Sequence, residues 1–229
     1  MSINALVSDL FLIGFHLFDT ASNSLISGCG KLPGRIVGGV EAGKNSIPWQ
    51  VGLVFWGYGG PSCGGTLIGP RHVLTAAHCW DGYINFDIVV GEHDVTDQIG
   101  SGGEVVHRVC RVAEHPKFDD ATAFDYDVAV VTLKEPVDIS SRVVPACLAD
   151  DSMTGDKLVG KKATVSGWGR LSSSGSSPDK LHHVKVPVMT NRQCLSDYSD
   201  TFYDVTSSMI CAGQAGGGID ACQGDSGGK

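Results

Sequence analysis

The sequence has few aromatic residues, no long helix-period pattern and no concentration of basic residues. Aromatic side chains make up 7% of the 229 residues, whereas 31 residues are glycine. Such a composition is typical of short strands joined by tight turns, so we predict an all-β fold. The formal charge is -8 and the basic residues are scattered along the chain. This pattern argues against nucleic acid or an anionic membrane as a partner.

The sequence also lacks an apolar run at its N-terminus that is long enough to span a bilayer. The run LFLIGFHLF occupies residues 10–18, is interrupted by His16, and has no Lys or Arg before Lys31. A membrane-spanning helix needs about 20 apolar residues, so this run is too short. It is a poor secretion signal, or the natural N-terminus lies elsewhere. Residues 22–35 are polar and rich in glycine and serine, as in an exposed linker.

None of the eight cysteines forms a C-x-x-C pair. Cysteines spread singly over a chain are more typical of disulfides than of a zinc site, and disulfides require an oxidising compartment. Cys63 and Cys79 would close a loop of 16 residues. Such a crosslink is worth roughly 3 kcal/mol in the chain-entropy description, and it would hold the backbone beside His78.

Ser226 stands in the glycine-rich segment GDSGG at residues 224–228. Three glycines around one serine let the backbone turn sharply and bring its N–H groups close to a reacting carbonyl. Taken alone, the same segment is equally typical of a glycine-rich turn.

Two further polar residues adjoin apolar runs. His78 lies in TAAHC, where small neighbours leave the imidazole accessible, and Asp127 opens the run DVAVVTL. This run predicts a strand buried on both faces, and a carboxylate at its mouth needs a hydrogen-bonding or cationic partner. Asp125 is the competing carboxylate. We favour Asp127 because it adjoins the apolar run directly.

The remaining short runs predict further secondary structure. Residues 190–198 favour a short helix with Thr190 or Asn191 as its N-cap. The polar stretch 148–162 favours a crossing between two structural units. The predicted strands are residues 49–56, 63–67, 86–90, 104–115, 163–169 and 181–189.

Several motifs in a fixed order resemble the trypsin-like serine proteases, which have the chymotrypsin fold. They are RIVGG at 35–39, TAAHC at 75–79, DVAV at 127–130, GWG at 167–169, MICAG at 209–213 and CQGDSGG at 222–228. The resemblance runs from Cys29 to Gly228. It implies two antiparallel six-stranded Greek-key barrels, the first in residues 36–148 and the second in residues 149–229. The second barrel is expected to be truncated, because the family normally continues past the position of Lys229.

The resemblance implies a catalytic triad of His78, Asp127 and Ser226, in which histidine serves as the base for serine. The backbone N–H groups of Gly224 and Ser226 would stabilise the oxyanion. Asp220 matches the floor of the specificity pocket in trypsins, which implies cleavage after Arg or Lys.

The resemblance also implies that residues 1–35 are a leader and propeptide. Cleavage after Arg35 would free the Ile36 ammonium to pair with Asp225, so the uncut chain is expected to be a zymogen. Disulfides are implied for Cys63 with Cys79, Cys194 with Cys211, and Cys29 with Cys147. The partners of Cys110 and Cys222 stay open.

The expected protein is a secreted, monomeric endopeptidase that acts on proteins or peptides and is controlled by protein inhibitors. No cofactor or metal is expected. Calcium stays open as an alternative, because Glu92 and Glu104 bracket a loop that resembles the calcium loop of some trypsins, although with longer spacing. The alternative function is that of a truncated, non-catalytic homologue that serves as a binding module or decoy.

Overall fold

The structure is a computed structural model of the chain. It describes residues 5–8, 40–57, 59–80, 82, 85–96, 99, 102–119, 122–149, 153, 155–171, 176–197, 204–213 and 226. Most of the predicted leader, propeptide and linker therefore lie outside the described residues. Within the described residues there is no helix with the length and apolarity that crossing a membrane requires.

Six strands form a closed antiparallel barrel. They are β3 (Gln50–Phe55), β4 (Cys63–Gly69), β5 (His72–Thr75), β6 (Phe86–Val90), β7 (Val105–Glu114) and β8 (Ala129–Leu133). The hydrogen-bonded order is β3-β4-β5-β8-β7-β6, and β6 pairs back with β3. The barrel lies inside residues 36–148, the range predicted for the first unit.

The barrel interior is filled by alternate aliphatic side chains. Leu53, Leu67 and Val131 are completely buried there. Gly65 allows neighbouring strands to approach closely, because a Cβ at this position would lie 2.9 Å from side-chain atoms of both Val51 and Val73. Burial along β8 alternates between buried and half-buried residues. The prediction that this run is buried on both faces is therefore wrong, because the outward residues Val130 and Thr132 are only half-buried.

A second sheet, which centres on one long strand in the second part of the chain, has five strands. They are β1 (Ala5–Ser8), β2 (Val40–Glu41), β9 (Lys162–Gly167), β10 (His182–Met189) and β11 (Met209–Ala212). The long strand β10 pairs with β9, β2 and β11, and β1 pairs antiparallel with β11. Two strands of this sheet thus come from residues that precede the barrel. The sheet is not closed within the described part of the chain.

Buried polar contacts join the barrel to this sheet. The Ser166 hydroxyl of β9 donates to the side-chain oxygen of Gln50 on β3, at 2.7 Å. The main-chain oxygen of His93 accepts hydrogen bonds from the Leu181 N–H at 2.8 Å and the Trp168 indole at 3.2 Å. The two units therefore pack through hydrogen-bonded, buried surfaces.

The single described α-helix, α1 (Asn191–Asp197), begins after Thr190. The Thr190 hydroxyl accepts the N–H of Gln193 at 3.2 Å, so Thr190 is the N-cap. Asn191, the alternative cap, instead donates its amide to the main-chain oxygens of Thr206 and Met209. A disulfide between Cys194 and Cys211 joins the helix to β11.

Candidate active site

Two neighbouring barrel strands bring His78 and Asp127 to the same edge. Thr75, the last residue of β5, pairs with Ala129, the first residue of β8. His78 follows Thr75 in a short 3-10 helix, Ala77–Cys79, and Asp127 lies two residues before the start of β8. Because antiparallel strands place the end of one beside the start of the next, residues 49 positions apart meet here.

The side chains of His78 and Asp127 form a two-point contact. Oδ1 of Asp127 accepts the main-chain N–H of His78 at 2.9 Å, and Oδ2 lies 2.6 Å from Nδ1 of the imidazole. A carboxylate only accepts hydrogen bonds, so Nδ1 carries the proton and Nε2 of the neutral ring keeps its lone pair. The aspartate side chain is 13% exposed and the imidazole 33% exposed. A half-shielded base with an available lone pair can accept a proton from a nearby hydroxyl.

Ser226 lies beside this pair through its main chain. Its carbonyl oxygen accepts the N–H of Gly64 at 2.7 Å and lies 3.6 Å from Sγ of Cys79. The same sulfur is 3.9 Å from Nε2 of His78. The Ser226 backbone and the lone pair of the imidazole are therefore both adjacent to one sulfur atom.

The Cys63–Cys79 disulfide, with an S–S distance of 2.07 Å, connects β4 to the 3-10 helix that carries His78. Gly64, next to Cys63, is held at both of its main-chain groups. Its N–H binds Ser226, and its carbonyl accepts the buried Thr75 hydroxyl at 2.8 Å. The crosslink and these bonds connect the backbones that carry the histidine and the serine.

Asp125 is not a partner of His78. Its carboxylate is buried and accepts the hydroxyls of Thr206 and Ser208, both from the second unit. Asp127, which the sequence favoured, is the carboxylate that contacts His78. The sequence did not identify Thr206 or Ser208, for which it offers no local signal.

Phe124 is a second neighbour of the imidazole that the sequence did not reveal. Its ring packs edge-on against that of His78, with centroids 5.4 Å apart and planes at 86°. Aromatic rings prefer such an arrangement, and it restricts the tilt of the imidazole. Only the position of Phe124 close to Asp127 could have suggested this contact.

An open cleft of about 370 Å³ lies between the barrel and the second unit. Pro61 and Ser62 line it from the barrel, and Trp168 and Arg170 line it from the second unit. Ser62 precedes the Gly64 amide that binds Ser226 by two residues. The cleft is thus lined by residues of both structural units.

The remaining predicted site residues fall outside the described residues. These are Gly224, Asp220, Asp225, Arg35, Ile36, Cys29 and Cys222. Cys147, predicted to pair with Cys29, is disulfide-bonded. Cys110 is an exposed free thiol.

Two sets of described residues offer atoms that could bind a metal ion. Cys63, His78 and Cys79 lie close together, but a disulfide consumes both sulfurs, so no thiolate ligand is present. Glu92 and Glu104 are both buried. Burial raises the pKa of Glu92, and the charge of Glu104 raises it further against the hydrogen bonds from the His93 and Asp94 amides. Buried carboxylate oxygens of this kind suit a hard cation such as Ca²⁺.

The chain is similar in sequence to known proteins. A sequence model described as "Trypsin" matches residues 36–228. The chain is 38% identical over 215 residues to Serine protease filzig and 38% identical over 202 residues to Serine proteinase stubble, both of Drosophila melanogaster. It is 37% identical over 195 residues to Trypsin of Sus scrofa.

These alignments cover 87%, 85% and 85% of this chain, but 12%, 25% and 78% of the three relatives respectively. The chain thus spans a small part of the two insect proteins and most of the pig protein. Because the family match covers both structural units and the pig trypsin is similar along most of its length, the chain belongs to the trypsin family of serine proteases.

Proposed function

We propose that this chain is the precursor of a secreted serine endopeptidase that hydrolyses peptide bonds after Arg or Lys. The observation that carries the proposal is the contact between Asp127 and His78, which leaves Nε2 available beside the Ser226 backbone. Acyl transfer by a serine hydroxyl needs a base in this state.

In the proposed mechanism, the Ser226 hydroxyl attacks the scissile carbonyl while Nε2 of His78 accepts its proton. The imidazolium then donates this proton to the leaving amine. In the second half of the reaction, His78 accepts a proton from the attacking water and returns it to the Ser226 oxygen as the acyl-enzyme is hydrolysed. Asp127 holds the ring in the required tautomer and stabilises its positive form. The N–H groups of Gly224 and Ser226 bind the oxyanion, and loss of one such donor typically costs about 3 kcal/mol of barrier.

Asp220 is proposed to set the specificity. It precedes the serine by six residues, at the position of the pocket floor in trypsins. A recessed carboxylate favours the guanidinium of Arg or the ammonium of Lys over neutral side chains.

Activation is proposed to follow cleavage after Arg35. The new ammonium of Ile36 would pair with Asp225, which neighbours the nucleophile, and this buried pair would order the oxyanion donors. Because Arg35 suits a protease with Asp220 in its pocket, the enzyme can activate further copies of itself.

The proposed setting is extracellular, with the enzyme acting as a monomer on protein or peptide substrates and controlled by protein inhibitors. Secretion is supported by the disulfides, which require an oxidising compartment. Catalysis needs no cofactor, since base, nucleophile and oxyanion donors all come from the chain. Calcium at Glu92 and Glu104 is the alternative, and thermal melts with and without Ca²⁺ distinguish the two. We expect that the enzyme binds no calcium, so that the midpoint of the thermal melt is the same with and without Ca²⁺.

The test uses chain cleaved after Arg35, incubated with arginyl, lysyl and aromatic amino-acid esters and with a fluorophosphonate. We expect turnover of the two basic esters and covalent labelling. The Ser226→Ala variant serves as the control that loses both. A correctly cleaved, folded chain that neither labels nor turns over any ester would instead support the non-catalytic alternative, a binding module or decoy.

A further inference from the structure

Asp125 is a buried carboxylate close to the proposed triad. Its side chain forms hydrogen bonds with residues other than His78. Its residue exposure is 3%. Oδ1 accepts the Thr206 hydroxyl at 2.8 Å, the Tyr126 main-chain N–H at 3.1 Å, and the Ser208 hydroxyl. All three hydrogen bonds therefore converge on one oxygen atom.

The main chain of Asp125 is also fixed by hydrogen bonds. Its N–H donates to the carbonyl of Thr122 and its own carbonyl accepts the N–H of Asp119, both at 3.0 Å. The residues on either side, Phe124 and Tyr126, have φ angles of 65° and 50°. Non-glycine residues adopt this left-handed region only where their surroundings hold them there. The bonds of Asp125 supply such a restraint at the centre of the segment.

Two residues close to Asp125 in the sequence, Phe124 and Asp127, contact the imidazole of His78. Phe124, one residue before Asp125, packs against the His78 ring. Asp127, two residues after it, binds the main chain and Nδ1 of His78. A displacement of Asp125 would therefore move the two groups that orient the base.

The hydroxyls that bind Asp125 belong to the other structural unit. Thr206 and Ser208 lie between α1 and β11, and the Thr206 carbonyl is held in turn by the Asn191 amide. These contacts connect residues more than 80 positions apart in the sequence. They provide a direct link from the sheet of the second unit to the edge of the barrel.

We propose that Asp125 is a positioning residue for His78. Through its hydrogen bonds to Thr206 and Ser208 of the second unit, Asp125 fixes the positions of Phe124 and Asp127 against the imidazole. The inference rests on the proposed function for its effect on rate, but the effect on the His78–Asp127 hydrogen bond is independent of turnover. Asp125 touches neither substrate nor reacting atoms, so it acts through geometry alone.

The convergence of three bonds on Oδ1 allows a sharp test. The Asp125→Asn variant keeps an acceptor for the three bonds at Oδ1, removes the charge and replaces Oδ2 by an NH₂ group, whereas Asp125→Ala removes the acceptor. The exposed Asp138 provides the matched control, Asp138→Ala. The first readout is the NMR resonance of the proton on Nδ1 of His78 in the full chain. The second is kcat per titrated active site after cleavage at Arg35.

We expect Asp125→Ala to shift or broaden the Nδ1 resonance and to lower kcat per active site by about 10- to 100-fold, because small misplacements of catalytic groups have effects of this size. KM should change by less than about threefold. Asp125→Asn should restore both readouts, and Asp138→Ala should leave both unchanged. If the alanine variant does not fold, Thr206→Val and Ser208→Ala should each move the resonance in the same direction.

Three results would overturn the inference. One is a folded Asp125→Ala variant with a lower melting temperature but an unchanged resonance and unchanged kcat per site. Another is an asparagine variant as impaired as the alanine variant, which would assign the effect to charge. The third is an unfolded alanine variant together with hydroxyl deletions that leave the resonance unmoved. A wild-type chain that turns over no ester, but whose resonance responds as expected, would overturn the proposed function and leave this inference intact.

Discussion

Both carboxylate oxygens of Asp127 contact His78, one at the main-chain N–H and the other at Nδ1 of the ring. The first contact ties the 3-10 helix Ala77–Cys79 to the start of β8. The second fixes the tautomer and the rotation of the imidazole. One side chain thus holds both the backbone and the ring of the proposed base, which a contact to the ring alone could not do.

The Asp127→Asn variant should lose most of its activity. An amide that keeps its oxygen on the His78 main-chain N–H turns its NH₂ group toward Nδ1, so the imidazole proton must move to Nε2. The lone pair needed for the base is then lost. In this family the same change lowers kcat by about 10,000-fold, and we expect a loss of that order. Kinetics on arginyl esters measure it.

The control for that experiment is Asp138→Asn, which changes an exposed carboxylate of the same unit. It should retain wild-type kcat. A kcat for Asp127→Asn within about tenfold of wild type would contradict the tautomer argument.

Removal of the Cys63–Cys79 disulfide should destabilise the chain. The crosslink closes a loop of 16 residues, so the double Cys→Ser variant should lose roughly 3 kcal/mol of unfolding free energy. Urea titration measures this loss. Activity should fall as well, because the bond joins the backbones that carry His78 and Gly64. The matched control is Cys110→Ser, whose thiol is free and exposed. Equal stability of the control and the double variant would refute this account.

Cleavage after Arg35 should switch the enzyme on through the ammonium of Ile36. The Arg35→Gln variant should resist activation by a trypsin-like enzyme and remain inactive toward arginyl esters. Cleaved wild-type chain whose new N-terminus has been acetylated should behave in the same way, because a neutral amide cannot form the proposed ion pair with Asp225. Full activity after acetylation would rule out this mechanism of activation.

The stability of the second unit should depend on pH through His183. This residue of β10 is 5% exposed, and its Nε2 has no hydrogen-bond partner among the described residues. Burial lowers the pKa of His183, and the charges of Lys185 and His182 lower it further. The unfolded chain therefore takes up a proton first as the pH falls below about 6.5. Neutral His183 therefore makes its full contribution to the unfolding free energy above that pH, and this contribution is lost as the pH falls below it.

The His183→Leu variant removes this titration. Between about pH 7.5 and about pH 5.5 it should lose less unfolding free energy than the wild type, as measured by urea titration at each pH. His72→Leu is the control, because His72 is an exposed histidine. If His183→Leu and wild type lose stability in parallel, His183 is not the group responsible.

Local patterns predicted most of the barrel strands well. The run at 86–90 coincides with β6, and those at 49–56 and 104–115 exceed β3 and β7 by one residue at each end. Alternation and turn glycines are local properties, so a short window contains them. The shortest strands were missed. β1 and β2 have four and two residues, and they become strands only because β11 and β10 lie beside them.

For the two acidic residues before β8, local sequence patterns do not predict which partner each one binds. Asp125 and Asp127 have similar local surroundings, and preference for Asp127 rested on its direct contact with the apolar run. What separates them in the structure is their partners. One meets an imidazole 49 positions earlier, and the other meets two hydroxyls more than 80 positions later.

By itself, the sequence determined the family and the all-β class, and it predicted the histidine and the serine of the site from spaced motifs. Only the tertiary structure decided that both oxygens of Asp127 meet His78, that Phe124 lies against the imidazole, and that Asp125 binds Thr206 and Ser208. Each of these contacts joins segments distant in the chain. They form when β5 pairs with β8 and the second unit packs on the barrel, and no local window of sequence contains that information.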